Sequence, residues 1–358
     1  MNLTSISPKK ILIISPAWVG DIVIAQALLK YIKHSNSETI IDVLAPAWSH
    51  ELYFVMPEIN EVLTMPLGHS QFQLKKRWQL GKRLRLKKYQ QAIILPNSWK
   101  SAIIPFAANI PIRTGWLGEM RFGLLNDWRI LNKKIYPMMV QRFLALGDTK
   151  ALAKTHKNLD WYAFQPHLEI NQNHNNAKLK SLFLIKEKPL LILCPGAAYG
   201  PAKCWPAEYF AEIANYKKSK AWQIILLGSK SDESVGYKIQ HLTKNACINL
   251  IGKTSLLEAL KVLSFAALVV SNDSGLMHLT AALDKPLIAL YGSSSPEFTP
   301  PLSAKAKIIY LKISCSPCFE RECPLIHFNC LKQLTPQIVL NAIDDLINNA
   351  ELFTNTKT

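Results

Sequence analysis

Short apolar runs that stop at a polar turn and give way to a helical pattern recur through both halves of this 358-residue chain. That recurrence constrains the fold more than any other feature. In the first half, strand-like runs are predicted at 11–14, 40–44, 62–65 and 92–95. Helical patterns follow them at 21–34, near 49–56, at 74–87 and at 99–107. Residues 152–187 break the pattern and read as a linker, with a polar QNHNNAK tract at Gln172–Lys178. Alternation then restarts, with strands at 190–194, 223–227, 248–250, 266–270 and 287–290. Helical patterns lie at 207–218, 231–242, 256–264 and 277–283, and an amphipathic one closes the chain over 335–348. Strands alternating with helices build a parallel sheet covered on both faces. The expectation is an α/β protein with two doubly wound, Rossmann-like domains, at 1–170 and 171–335, followed by a helix and tail at 336–358. Such halves are expected to face a central cleft at the carboxyl ends of their strands.

Hydrophobic residues make up 49% of the chain, enough for two cores. No apolar run reaches the ~18 residues of a membrane span, and the apolar stretch after Lys10 is too short for a secretory signal. A cytoplasmic protein is expected. The net charge of +17 divides as +11 over residues 1–170 and +6 over 171–358. Such a field attracts anionic partners. Its densest block, Lys75–Lys88, has eight basic residues among fourteen, interleaved with Leu74, Trp78, Leu84 and Leu86. The block reads either as a solvated helix face or as a patch that meets an anionic membrane surface.

Three turns carry the chemistry. The run LVVSNDSGLMHLTAAL at 268–283 goes from a buried strand through Asp273, Ser274 and Gly275 into a helix bearing His278. Strand, short polar turn and helix N-terminus form an anion site suited to a diphosphate. Asp273 alone could be an N-cap and His278 a packed histidine. Their joint placement with Gly275 favours the phosphate. A second turn, from Pro195 to Pro206, holds Gly196, Ala198, Tyr199 and Lys203, small residues beside one cation. A third, Gly228–Glu233, offers Ser229 and Glu233 to ribose hydroxyls.

The first βα turn, Ser15–Asp21, lacks GxGxxG, which argues against a dinucleotide-binding oxidoreductase. It carries Trp18, Val19, Gly20 and Asp21, the last either an N-cap or a general base. No Asp-x-Asp pair is present. Lys203 and a helix N-terminus can neutralise a bound phosphate without a metal. Cys315, Cys318, Cys323 and Cys330 form C-x2-C-x4-C-x6-C with His327 inside, a spacing that permits a structural metal site.

SPAWVGD, IIDVLAPAW, PLGHSQFQLKKRWQLGKRLR, LPNSWKSAIIPFAANIPIRTGWLGEMRFGLLND, PGAAYGPAKCWP and NDSGLMHLTAALDKPLIALYGSSSPEFTPPL occur in this order. From about Ile11 to Leu340 the chain resembles the bacterial ADP-heptose:lipopolysaccharide heptosyltransferases, on the branch that adds the second heptose. The resemblance implies a GT-B fold and an inverting, metal-independent glycosyltransferase with no cofactor. The donor would be ADP-L-glycero-D-manno-heptose and the acceptor the first heptose on Kdo-lipid A, at the cytoplasmic face of the inner membrane. It implies Asp21 as general base and Lys203 as the diphosphate's partner. Asp273, Ser274, Gly275 and His278 match the donor-binding turn, where heptosyltransferase I usually has Thr at the Ser274 position. Lys100, Arg113 and Arg121 fall in the matching acceptor-side stretch and would meet acceptor phosphates or Kdo carboxylates. Some members lack the four-cysteine segment, which sets it apart from the chemistry. Heptosyltransferase I or another sugar-nucleotide enzyme such as an epimerase is an alternative. A nucleic-acid binder would need a reading motif or aromatic platforms, and none is found.

Overall fold

A computed structural model of the chain describes residues 8–68, 72–148, 160–170 and 188–355. They fall into two compact units, Met1–Pro166 and His167–Thr358.

Unit 1 runs β1 (Lys10–Ile14), α1 (Val19–Ser35), β2 (Ile40–Pro46), α2 (His50–Tyr53), β3 (Glu61–Met65), α3 (Leu74–Leu84), β4 (Gln91–Ile94), α4 (Trp99–Ala107), β5 (Ile112–Trp116), β6 (Asp127–Arg129) and α5 (Met139–Gly147). Its sheet has the order β3-β2-β1-β4-β5-β6, and every pairing is parallel. β1, β2 and β4 are buried almost throughout rather than on alternate residues. That pattern is the signature of a sheet covered on both faces. α1 packs on α5 and α3 on α4, closely enough that a Cβ at Gly147 would meet Leu28 and one at Gly81 would meet Ala107.

β5 and β6 were not expected from the sequence, because Ile-Arg-Thr-Gly-Trp is not an apolar run. Thr114 is buried at no polar cost: it accepts from Gln91 Nε2 and donates to Asp127 Oδ2, both at 2.8 Å. A hydrogen-bonded row across β4, β5 and β6 replaces the apolar run. Residues 160–165, read as part of a linker, instead return to α1. Phe164 stands edge-on to Tyr31 at 5.3 Å, and Lys30 Nζ donates to the Gln165 carbonyl at 2.6 Å. The rest of that expected linker, including Gln172–Lys178, lies outside the described residues.

Unit 2 runs β7 (Leu190–Cys194), α6 (Ala207–Ser219), β8 (Gln223–Leu226), α7 (Glu233–Leu242), β9 (Ile248–Asn249), α8 (Leu256–Ser264), β10 (Leu268–Asn272), α9 (Gly275–Ala282), β11 (Leu287–Tyr291), β12 (Ala306–Tyr310), α10 (Asn329–Lys332) and α11 (Pro336–Asn355). Its parallel sheet is ordered β12-β11-β10-β7-β8-β9. Counted from each unit's first strand, both sheets have the same order, 3-2-1-4-5-6. α8 starts at a capping box, with Ser255 and Glu258 satisfying each other's backbone amides. α11 buries Val339, Leu340 and Ile343 in the unit 2 core with Trp205, Phe210 and Leu290. Among the described residues no helix is long and apolar enough to cross a membrane.

In each sheet the strand order reverses between two neighbours, β1 and β4 in unit 1 and β7 and β10 in unit 2. Chains leave such a pair in opposite directions, so a crevice opens beyond their carboxyl ends.

Candidate active site

The turns singled out in unit 2 leave the two strands of its switch point. Cys194 pairs with Ser271 at the last rung of β7 and β10, so the Pro195–Pro206 loop and the Asp273 turn start side by side. Asn272, fully buried, fastens one to the other: its Nδ2 donates to the Pro195 carbonyl at 2.6 Å, and its Oδ1 accepts from Trp205 N–H at 3.1 Å. Both ends of the loop are thus held by one amide side chain. Trp205 anchors the far end, buried to 1% exposure with its indole N–H on the Leu334 carbonyl at 2.6 Å.

This clasp brings Lys203 Nζ to 2.6 Å from Asp273 Oδ2, with side-chain exposures of 17% and 5%. Asp273 therefore pairs with the lysine and is not the cap of α9. The N-cap is Ser274, whose side chain makes no capping bond; its hydroxyl lies 3.3 Å from that of Ser271. The amides at the start of α9 thus have no side-chain cap. They carry the positive end of the helix dipole beside a lysine. His278 is buried on the same helix. Burial pushes its pKa down to about 4, with Lys203 adding to the shift and Asp273 opposing it. At neutral pH it is an uncharged imidazole that can give or take a hydrogen bond.

The third turn joins the same edge. A Cβ at Gly196 would sit 2.2 Å from the Asp232 carboxylate, so the β7 and β8 loops touch there. Ser229 is exposed and bonded within its own turn: its amide and hydroxyl both donate to Asp232 Oδ2, at 2.8 and 2.7 Å. Glu233, half-buried, packs against Gly252. Ala198 is exposed, and Tyr199 lies with its ring 5.0 Å from Lys203 Nζ. The clasping role of Asn272 and the contact of Gly196 with Asp232 were missed in the sequence. The one available signal was a polar Ser271-Asn272 pair ending a buried apolar strand.

The unit 1 turn lies at the matching switch point, Ile14 pairing with Ile94 at the ends of β1 and β4. Trp18 is the N-cap of α1 and is 40% exposed; Val19, Gly20 and Asp21 form the first turn, Asp21 half-buried. Asp21 is therefore not an N-cap. Lys100 is half-buried in the first turn of α4, which leaves the neighbouring strand β4.

Arg113 and Arg121 do not have the placement expected of acceptor contacts. Arg113 is on the second residue of β5, at the amino end of the sheet. Its guanidinium donates to the carbonyls of Leu124 and Ile110, both at 2.6 Å. Arg121 is fully buried. It donates to the carbonyls of Pro96, Ser98 and Trp116 and to the Ser101 hydroxyl. It braces the loop after β4 from beneath and offers no surface to a ligand. The basic block of α3 is likewise divided. Lys75, Lys76, Lys82 and Arg83 are exposed, whereas Arg77 is buried against the Phe72 and Lys100 carbonyls.

Among the described residues no group of three or more His, Cys, Asp or Glu side chains is arranged to hold a metal ion. Burial raises the Cys330 thiol pKa, and Cys315, Cys318 and Cys323 raise it further, so the four thiols of this segment lie near one another. Two of its donors are engaged locally: Cys323 Sγ accepts from Phe328 N–H at 3.4 Å, and His327 Nδ1 from Asn329 N–H at 2.9 Å.

Residues 77–329 match the family described as "Glycosyltransferase family 9 (heptosyltransferase)". The chain is 43% identical over 343 residues to lipopolysaccharide heptosyltransferase 2 of Salmonella typhimurium, covering 95% of this chain and 99% of that one. It is 46% identical over 309 residues to lipooligosaccharide heptosyltransferase 2 of Haemophilus influenzae, covering 84% and 88%. The solved structure of E. coli ADP-heptose lps heptosyltransferase II superposes with a TM-score of 0.85 at 41% identity, over 96% of this chain and 99% of that one.

Proposed function

The chain belongs to glycosyltransferase family 9, the heptosyltransferases, and from that premise we propose that it transfers L-glycero-D-manno-heptose from ADP-heptose to the first heptose of a Kdo-lipid A inner core. The acceptor hydroxyl oxygen attacks the anomeric carbon. The bond from that carbon to the β-phosphate oxygen breaks on the opposite side, and the configuration inverts. ADP leaves with the bonding electrons, and the acceptor's proton goes to the Asp21 carboxylate.

One observation carries this reading: the Lys203–Asp273 pair stands beside the uncapped start of α9, at the switch point of unit 2. A departing diphosphate gains negative charge. A fixed ammonium and a helix N-terminus stabilise that charge without reorganising, which supports a metal-independent route. Asn272 keeps the two turns together before the donor arrives, so no loop ordering is needed at the transition state. Unit 2 is thus the donor-binding unit and unit 1, with Asp21, the acceptor-binding one.

The acceptor is a lipid, and we assign the exposed cations of α3, with Trp78 at 39% and Leu86 at 87% exposure, to contact with an anionic membrane surface. Flotation with anionic vesicles should retain the protein at low salt and release it at high salt. Equal flotation in both would remove the electrostatic part.

The deciding experiment is an assay with ADP-heptose and two acceptors, Kdo-lipid A bearing one heptose or none. Turnover only with the one-heptose acceptor is expected. Turnover only with the heptose-free acceptor would make this the first transferase instead, and none with either would sink the reading.

A further inference from the structure

The segment after β12, which holds the four cysteines, does something its thiols do not explain. At one side it is tied to the end of β11: Phe319 N–H donates to the Ser293 carbonyl at 2.7 Å, and the Ser316 hydroxyl to that of Gly292. At the other side it is tied to the loop after β7. Ala202 N–H donates to the Arg321 carbonyl at 3.0 Å, and the Tyr199 hydroxyl to the Phe319 carbonyl at 2.5 Å. Gly200 has φ +156, and a Cβ there would meet the Arg321 carbonyl at 2.4 Å, so the two backbones are in contact. β11 and β7 are the two neighbours of β10. A segment fastened to both carboxyl ends straps across the end of β10, where the Asp273 turn begins.

The strap delivers one charge. Arg321 is exposed, and its guanidinium lies 5.3 Å from the centre of the Tyr199 ring, the same ring that has Lys203 Nζ at 5.0 Å. Lys203 is already paired with Asp273 at 2.6 Å, so the two contribute no net charge. Burial keeps His278 uncharged at neutral pH. With Glu233 counted, the residues first assigned to the donor therefore sum to about −1, while the leaving diphosphate carries at least two negative charges. Lys203 and the start of α9 meet only part of that charge, and the strap holds a further cation beside the loop.

We propose that Arg321 is a donor-binding residue, whose guanidinium takes up phosphate oxygens of the nucleoside diphosphate on the Tyr199 side of Lys203. The inference rests on the ADP-heptose reading above. A planar guanidinium fits two phosphate oxygens at once, which an ammonium does not. The strap's role is then to set the height of that guanidinium, and its backbone hydrogen bonds do so without calling on any cysteine.

Calorimetry on the full chain tests this with ADP and adenosine as ligands, for wild type, Arg321→Gln and Arg321→Lys. The backbone carbonyl that holds Ala202 survives in both variants. Arg321→Gln should weaken ADP about tenfold, the equivalent of about 1.4 kcal/mol, and leave adenosine within about twofold. Arg321→Lys should recover part of the loss, since charge is restored without the fork. An ADP affinity within about twofold of wild type in Arg321→Gln overturns the proposal. So does a loss that falls equally on adenosine, which would report a distorted loop. Failure of wild type to bind ADP would overturn the donor reading and this inference together. Wild type that binds ADP but transfers no heptose would overturn the transfer alone.

Discussion

The two units have one topology and opposite edges. At the unit 2 switch point the polar groups are locked to each other: Asn272 to Pro195 and Trp205, Lys203 to Asp273, Ser229 to Asp232. At the carboxyl edge of unit 1 large aromatic and aliphatic side chains are exposed beside Asn97 and Glu119. Trp18, Trp99, Phe72 and Met120 are 40%, 37%, 49% and 79% exposed, and Phe72 stacks on Trp99 at 6.0 Å. Three arginines of unit 1 are used internally, Arg77, Arg121 and Arg129 all buried on backbone carbonyls. The same sheet order thus supports a preorganised polar cluster, the proposed phosphate cradle, in one unit and a broad amphipathic face in the other. Strand order fixes where a site lies, and the loop side chains fix what it takes.

The sharpest way to break this contrast is Asp21→Asn. Transfer should fall by about 10²–10⁴-fold, the worth of a general base, while ADP affinity is retained. Near-normal turnover would remove the chemistry from unit 1. Lys203→Met should act on both donor affinity and rate, costing roughly 10²-fold or more. It should also lower stability, because Asp273 is left buried without its partner. Adding Asp273→Asn should return much of that stability but none of the activity; a strictly additive double variant would show that the pair is not coupled.

The two internal clamps should behave alike although only one is at the donor edge. Arg121→Met and Asn272→Ala each leave buried carbonyl or amide groups unpaired, and each should cost about 1–3 kcal/mol in denaturant unfolding. Only Asn272→Ala should also weaken ADP. If Arg121→Met weakened ADP equally, the division of labour between the units would be wrong.

The smallest effect concerns His278. Its folded pKa, about 4, lies below its ordinary value of 6.5. The unfolded chain therefore binds more protons in that window. The contribution is fully present above pH 6.5 and is lost as the pH falls toward 4. Thermal unfolding measured across this range should show a shallower acid slope in His278→Gln. An unchanged slope would mean that other groups govern it.

Much of this was legible before any coordinates. β1, β7 and β10 are apolar runs closed by Pro, Gly or Asp, and a fully buried parallel strand has that pattern. Lys203, Asp273 and His278 lie in turns that follow such runs, so their shared edge could be read from strand and turn alone. β5 was not legible, since Thr114 and Gln91 are buried only because they bond each other across strands. Nor was Arg121, because an arginine on a cationic surface and one bonded to four internal oxygens have the same letter.

The sequence by itself determined the alternation, the two parallel sheets, the turns that carry chemistry and the family. Periodicity and turn chemistry are local, and they are written in adjacent residues. Only the tertiary structure decided which charges remain for a ligand. Lys203 meets Asp273 seventy positions away, Arg121 sinks beneath the loop it braces, and Arg321 is brought by a strap to Tyr199. Whether a charge is paired, buried or available depends on neighbours that are distant in the chain, and no local pattern encodes them.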